Sequence, residues 1–182
     1  ENYPLDLSPY AGYKKVLVSC GTQLAWAKDN LLCQTQQLAE AHPDCHFFVT
    51  LGFGGQDFRC EELMDNVSVV SYLPYKEYIP QMDYVIHHGG AGIFYQCIIY
   101  GKPALILPHD YDQYDYAVRG LEAGIALTAK REDREAIGRA FDELLARDDW
   151  SDLNKLSRVA QDYQPTEILK SEIHRLLGDK EK

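Results

Sequence analysis

Positive charge is scarce in this sequence: 18 Lys and Arg stand against 28 Asp and Glu, for a formal net charge of -10. No Lys/Arg cluster forms a stripe that could neutralise a run of phosphates, so neither nucleic acid nor an acidic membrane surface is expected as a partner. The five cysteines, Cys20, Cys33, Cys45, Cys60 and Cys97, are odd in number and include no CxxC pair. That count indicates neither a disulfide framework nor a zinc site, and a reducing cytoplasm fits it best. No apolar run approaches the length of a membrane span, and no charged-then-apolar signal segment opens the chain. Also missing are a GxSxG elbow, a GxxxxGK[ST] phosphate loop, an internal repeat and any low-complexity segment. The chain begins with Glu1 rather than Met, which points to a piece of something longer.

What is present is a strand-and-helix alternation. At 182 residues and 46% hydrophobic, the chain is long enough for one domain with a sizeable core and too short for two ordinary ones. Residues 1–13, with two prolines and little periodicity, read as a linker or irregular lead-in, and residues 14–182 as the domain. The continuous apolar run at 15–20 (KVLVSC) predicts a strand covered on both faces, the short run at 84–86 a buried strand, and 45–51 (CHFFVTL), 67–71, 103–107 and the shorter 124–127 further strands. Helical spacing predicts helices from about 21–23 to 41, after residue 92, and over 113–123, 132–146, 152–161 and 165–177, with a turn or two at 75–81. This alternation implies an α/β fold: a Rossmann-like parallel sheet with helices on both faces.

The stretch from Asp83 to Ala117, DYVIHHGGAGIFYQCIIYGKPALILPHDYDQYDYA, is the centre of the chain. Its strand passes through His87-His88-Gly89-Gly90-Ala91-Gly92 sharply into a helix. Glycines let backbone approach a ligand closely, and the first amides of the helix have no partners within it. Unpaired amides and the positive end of the helix dipole make an anion site. In a parallel sheet that bend lies on the ligand-binding edge, together with Gly21-Thr22 and the 108–113 segment.

These elements together resemble a family. HHGGAG followed by GKP, then PHDYDQxxxA, with a YLP segment after an earlier strand, is similar to the donor-binding half of GT-B glycosyltransferases. The likeness is to the inverting nucleotide-sugar enzymes and covers roughly residues 14–127. The resemblance implies that His88 donates to the donor diphosphate, that Gly90, Ala91 and Gly92 cradle phosphate oxygens through their amides, and that Gly21 and Thr22 lie near the phosphates. It places Tyr72, Leu73 and Pro74 at the nucleobase and Gln96 at the ribose, and it gives Asp112 and Gln113 the sugar hydroxyls. The sequence departs from the family pattern at Ile93, where a hydroxyl donor is usual, at Gln96, where a Glu is common, and at Tyr72 and Tyr75, where the pattern has Trp and Gln.

Each of these residues also has a structural reading. His87 suits a histidine satisfied at a strand end, Asp112 a helix cap, Gly21-Thr22 a plain turn, and any one of 13 tyrosines a packing role. Asp110-Tyr111-Asp112 has the DxD form of a metal site, but such a match is common by chance and the β-α pattern favours a metal-free fold. Gly52-Phe53-Gly54 is a weak dinucleotide signal, and Cys20 suits a small buried residue better than a nucleophile.

The implied activity is metal-independent, inverting transfer of a hexose from a nucleoside diphosphate sugar, without a cofactor. UDP is the default nucleotide by family frequency and TDP its competitor. An amino-terminal acceptor-binding domain, in the same or a separate chain, would hold the general base and any membrane contact, so no catalytic residue is expected in this chain. Two alternatives stay open at this point: a domain of a sugar-nucleotide epimerase of the same fold, and a non-catalytic donor-presenting subunit. A degenerate domain that no longer binds donor is also compatible with Ile93 and Gln96.

Overall fold

A computed structural model of the chain describes residues 4–21, 28–50, 52, 63–70 and 72–177. Among these residues β1 (Lys14–Ser19), β2 (Cys45–Thr50), β3 (Val67–Val70), β4 (Tyr84–His87), β5 (Ala104–Ile106) and β6 (Ala126–Thr128) form one sheet in the order β3-β2-β1-β4-β5-β6. Every neighbouring pair is parallel. The helices are α1 (Lys28–Ala41), α2 (Tyr75–Tyr78), α3 (Ala91–Ile99), α4 (Gln113–Glu122), α5 (Arg134–Ala146), α6 (Ser151–Asp162) and α7 (Pro165–Leu177). A 3-10 turn continues α2 over Ile79–Gln81. The Rossmann-like α/β expectation holds. The start of the first expected helix and the loop at 53–62 lie outside the described residues.

The continuous apolar runs have a direct cause. Successive residues of a strand point to opposite faces, and here both faces are covered, so all six residues of β2 are buried. On one face Val16, Val18, Phe47, Val49, Ile86 and Leu105 meet Leu31, Leu32 and Leu38 of α1 and Ile137, Phe141 and Leu144 of α5. On the other face Leu17, Phe48, Val85 and Ile106 meet Ile93, Phe94, Cys97 and Ile98 of α3, with Ala117 of α4 and Leu153 of α6. Burying an aliphatic or aromatic side chain of this size stabilises by about 1.5–3 kcal/mol. The sheet is therefore the rigid part on which any site rests.

The lead-in carries a 3-10 turn, Ser8–Tyr10, and it is pinned. Leu5 N–H donates to the Tyr78 hydroxyl at 2.7 Å, and the Tyr10 ring packs edge-on to Phe48 at 5.0 Å. At the other end α7 buries none of its residues, and Leu169 and Leu176 are 61% and 69% exposed.

Strand order fixes where a ligand can sit. From β1 the chain moves outward through β2 and β3, then returns to pair β4 on the other side of β1, with Ser19 opposite His87. The connections leave β1 and β4 in opposite directions. A crevice opens beyond their carboxyl ends.

Candidate functional site

The crevice is a cavity of about 400 Å³ built from four segments. Cys20 and Gly21 come from the end of β1, Tyr75 from α2, and His88, Gly90, Gly92 and Ile93 from the β4–α3 bend. Asp110, Tyr111, Asp112 and Gln113 come from the β5–α4 connection. Three segments that the sequence placed on one edge do converge there.

The amino end of α3 is open. Gly90 is the N-cap and has no side chain with which to cap, and the first turn carries no acidic residue. Phe94 N–H makes the first helical bond, to the Gly90 carbonyl at 3.1 Å, so the amides of Ala91, Gly92 and Ile93 precede the ladder. With the dipole behind them, these amides form an electropositive patch that contains no cationic side chain.

His88 stands beside the patch in a slot made by two glycines. A Cβ on Gly90 would lie 2.4 Å from its Nε2, and one on Gly21, where φ is +76°, would lie 2.7 Å from its Cε1. Both glycines therefore make room for the imidazole. By contrast, a Cβ on Gly92 would meet nothing within 4 Å. Burial lowers the His88 pKa below the usual histidine value and nearby His109 lowers it further, while a Ser19 backbone contact and Asp112 act in the opposite sense. The ring is neutral at pH 7. Its Nδ1 is buried without a hydrogen-bond partner, which is a polar group waiting to be satisfied.

His87 has the structural role. Its Nδ1 accepts from Gly89 N–H at 3.0 Å and so fixes the bend, and burial drives its pKa down to about 3. Its Nε2 is buried with no partner, so the ring is only half satisfied.

The β5–α4 connection is held by Gln113, whose Oε1 accepts from the amides of His109 at 2.9 Å and Asp110 at 3.1 Å. That leaves the Gln113 side-chain NH₂ as the group able to reach a ligand. Asp112 occupies the N-cap position of α4 but makes no side-chain cap bond, so its exposed carboxylate is available to the cavity. Tyr111 sits at φ +46°, in the left-handed region that a tyrosine rarely adopts, with its ring 85% exposed.

Other expected residues fall elsewhere. Tyr72, Leu73, Pro74 and Gln96 do not line the cavity. The Leu73 side chain is 1% exposed and belongs to the core, so only its main chain can face a ligand. Gln96 lies on α3 with its Oε1 buried and unpartnered. Thr22 lies outside the described residues. No three His, Cys, Asp or Glu side chains among the described residues are grouped to hold a metal ion. Five lining residues had no assigned role from the sequence: Cys20, Ile93, Tyr75, Asp110 and Tyr111. The last two enter the sequence reading only as part of a DxD form, in a segment already placed at this edge. Tyr75 enters it only as a departure from the family pattern directly after Tyr72-Leu73-Pro74.

Comparison with known proteins bears on the family and the fold. A sequence model of the family described as erythromycin biosynthesis protein CIII-like, C-terminal domain, matches residues 43–174. An uncharacterized UDP-glucosyltransferase of Bacillus subtilis strain 168 is 26% identical over 127 residues, covering 68% of this chain and 32% of that protein. The 3-alpha-mycarosylerythronolide B desosaminyl transferase of Saccharopolyspora erythraea is 35% identical over 85 residues, covering 43% of this chain and 20% of that protein. Among solved structures, the glycotransferase of kitacinnamycin superposes with a TM-score of 0.81 at 25% identity, over 95% of this chain and 46% of its own. The chain thus spans about a third or less of these two relatives and about half of the solved structure.

Proposed function

This chain belongs to the erythromycin biosynthesis protein CIII-like C-terminal domain family, and from that membership we propose that it is the donor-binding half of a GT-B enzyme. In this reading the enzyme is a cytoplasmic, metal-independent, inverting hexosyltransferase using a nucleoside diphosphate sugar, with UDP ahead of TDP. The observation that carries the reading is the start of α3, which has no side-chain cap, beside the His88 imidazole, whose Nδ1 has no partner, at the point where strand order reverses.

The chemistry assigned to this half is leaving-group stabilisation. The acceptor oxygen attacks the anomeric carbon, the carbon–oxygen bond to the β-phosphate breaks, and the nucleoside diphosphate departs with the electron pair. The acceptor's proton goes to a base on an amino-terminal domain. Negative charge grows on the diphosphate as the bond breaks, so fixed amides and His88 interact more strongly with the transition state than with the ground state. His88 would donate to the diphosphate, beside the amides of Gly90, Ala91 and Gly92, with Gly21 and Thr22 close by. The Asp112 carboxylate and Gln113 NH₂ would read sugar hydroxyls, and Gln96 Oε1 would accept from the ribose. Tyr72, Leu73 and Pro74 would hold the base, the last two through main-chain groups.

The test is a titration of the 182-residue chain with UDP, TDP and GDP, followed by a transfer assay. The reading expects weak, saturable binding that is tightest for UDP, and no transfer by this chain alone. Absence of nucleotide binding, or sugar transfer without an amino-terminal domain, would refute it.

A further inference from the structure

Tyr75 is among the polar side chains of the cavity that have no part in the scheme above. Tyr75 opens α2 and reaches the end of β1, where its hydroxyl lies 2.8 Å from Ser19 Oγ. Ser19 Oγ also accepts from Gly21 N–H at 3.1 Å. With one Ser19 lone pair given to Gly21, two proton arrangements remain. Ser19 can donate to the phenol oxygen, which frees the Tyr75 proton to turn toward the cavity. Alternatively Tyr75 donates to Ser19 and offers the cavity its lone pairs.

An anion selects the first arrangement. Burial raises the Tyr75 pKa, so the phenol keeps its proton through the neutral range. Competing donors are few. The first turn of α3 presents Gly90, Ala91, Gly92 and Ile93, none with a polar side chain, and no Lys or Arg lines the cavity. Tyr111 is the other lining hydroxyl, but at 85% exposure nothing comparable holds it in place.

We propose that Tyr75 is a diphosphate-binding residue: anchored by Ser19, its hydroxyl donates to an anionic oxygen of the diphosphate held at the start of α3. The proposal rests on the reading of this cavity as the donor site. Binding then needs no Lys or Arg, because backbone amides, an imidazole and a phenol supply the donors.

The experiment is calorimetric titration of UDP, and shift titration of uridine, into the wild-type chain and Tyr75→Phe, with thermal melts of both. We expect Tyr75→Phe to weaken UDP binding by about tenfold, the effect of one hydrogen bond to a charged group, while uridine binding stays the same. Equal UDP affinity in the two proteins, or equal losses for UDP and uridine, would overturn the role of Tyr75 alone. A wild-type chain that binds no UDP would overturn the reading of the cavity itself.

Discussion

Helices α3 and α5 begin in opposite ways. At α5, Asp133 accepts from Ala136 N–H at 2.9 Å, and Glu135 adds negative charge to the first turn. At α3, the N-cap is a glycine, the first turn is apolar, and a neutral histidine stands alongside. One helix satisfies its own amides and complements its own dipole. The other does neither, and it lies at the sheet's switch point. On the proposed reading, the difference separates a helix start that only folds from one that folds and binds.

The contrast is broken most severely by removing the imidazole. His88→Ala should lower UDP affinity about a hundredfold, the loss of a charge-assisted donor in a desolvated site, with little change in melting temperature because the ring packs into a glycine slot. Calorimetry and a melt on the same sample check this, and retained affinity in a folded protein would place the diphosphate elsewhere. Gly21→Ala comes next. Its Cβ would overlap the His88 ring at a φ of +76°, so we expect a destabilisation of about 1–2 kcal/mol in urea unfolding, together with weakened UDP binding.

Asp133→Ala sharpens the comparison from the other side. It should cost about 1 kcal/mol of stability and leave UDP affinity unchanged, since the α5 cap serves only folding. The smallest expected effect is on pH. In the free chain burial and His109 lower the His88 pKa against the pull of Ser19 and Asp112, and a bound diphosphate would raise it. Binding then takes up a proton, so affinity for a UDP-hexose, whose diphosphate keeps its charge across the range, should rise severalfold from pH 8 to pH 6. A flat profile would mean that His88 stays neutral in the complex.

Much of this was legible in the sequence because burial on both faces writes strands as unbroken apolar runs. KVLVSC and CHFFVT could be little else, and the turn from β4 into α3 was visible in HHGGAG. The helix at 165–177 was readable from its spacing alone, although it buries nothing in this chain. The cavity's finer arrangement was not legible, because it depends on contacts between residues far apart in the chain. Nothing in the sequence ties Gly21 to His88, yet the glycine is required by a ring 67 positions away. Nor does it tell that Gln113 spends its carbonyl on two loop amides, or that Tyr75 meets Ser19 across 56 residues. Local periodicity carries the elements, whereas side-chain partners come only with the sheet order.

The most direct test of the whole account is an amide chemical-shift titration of the assigned chain with UDP. The account predicts the largest shifts at Ala91, Gly92 and Ile93, saturating with those of the neighbouring His88 and Tyr75 signals, while Ala136 at the capped start of α5 does not move. Shifts that spare the start of α3, or that appear equally at α5, would contradict it.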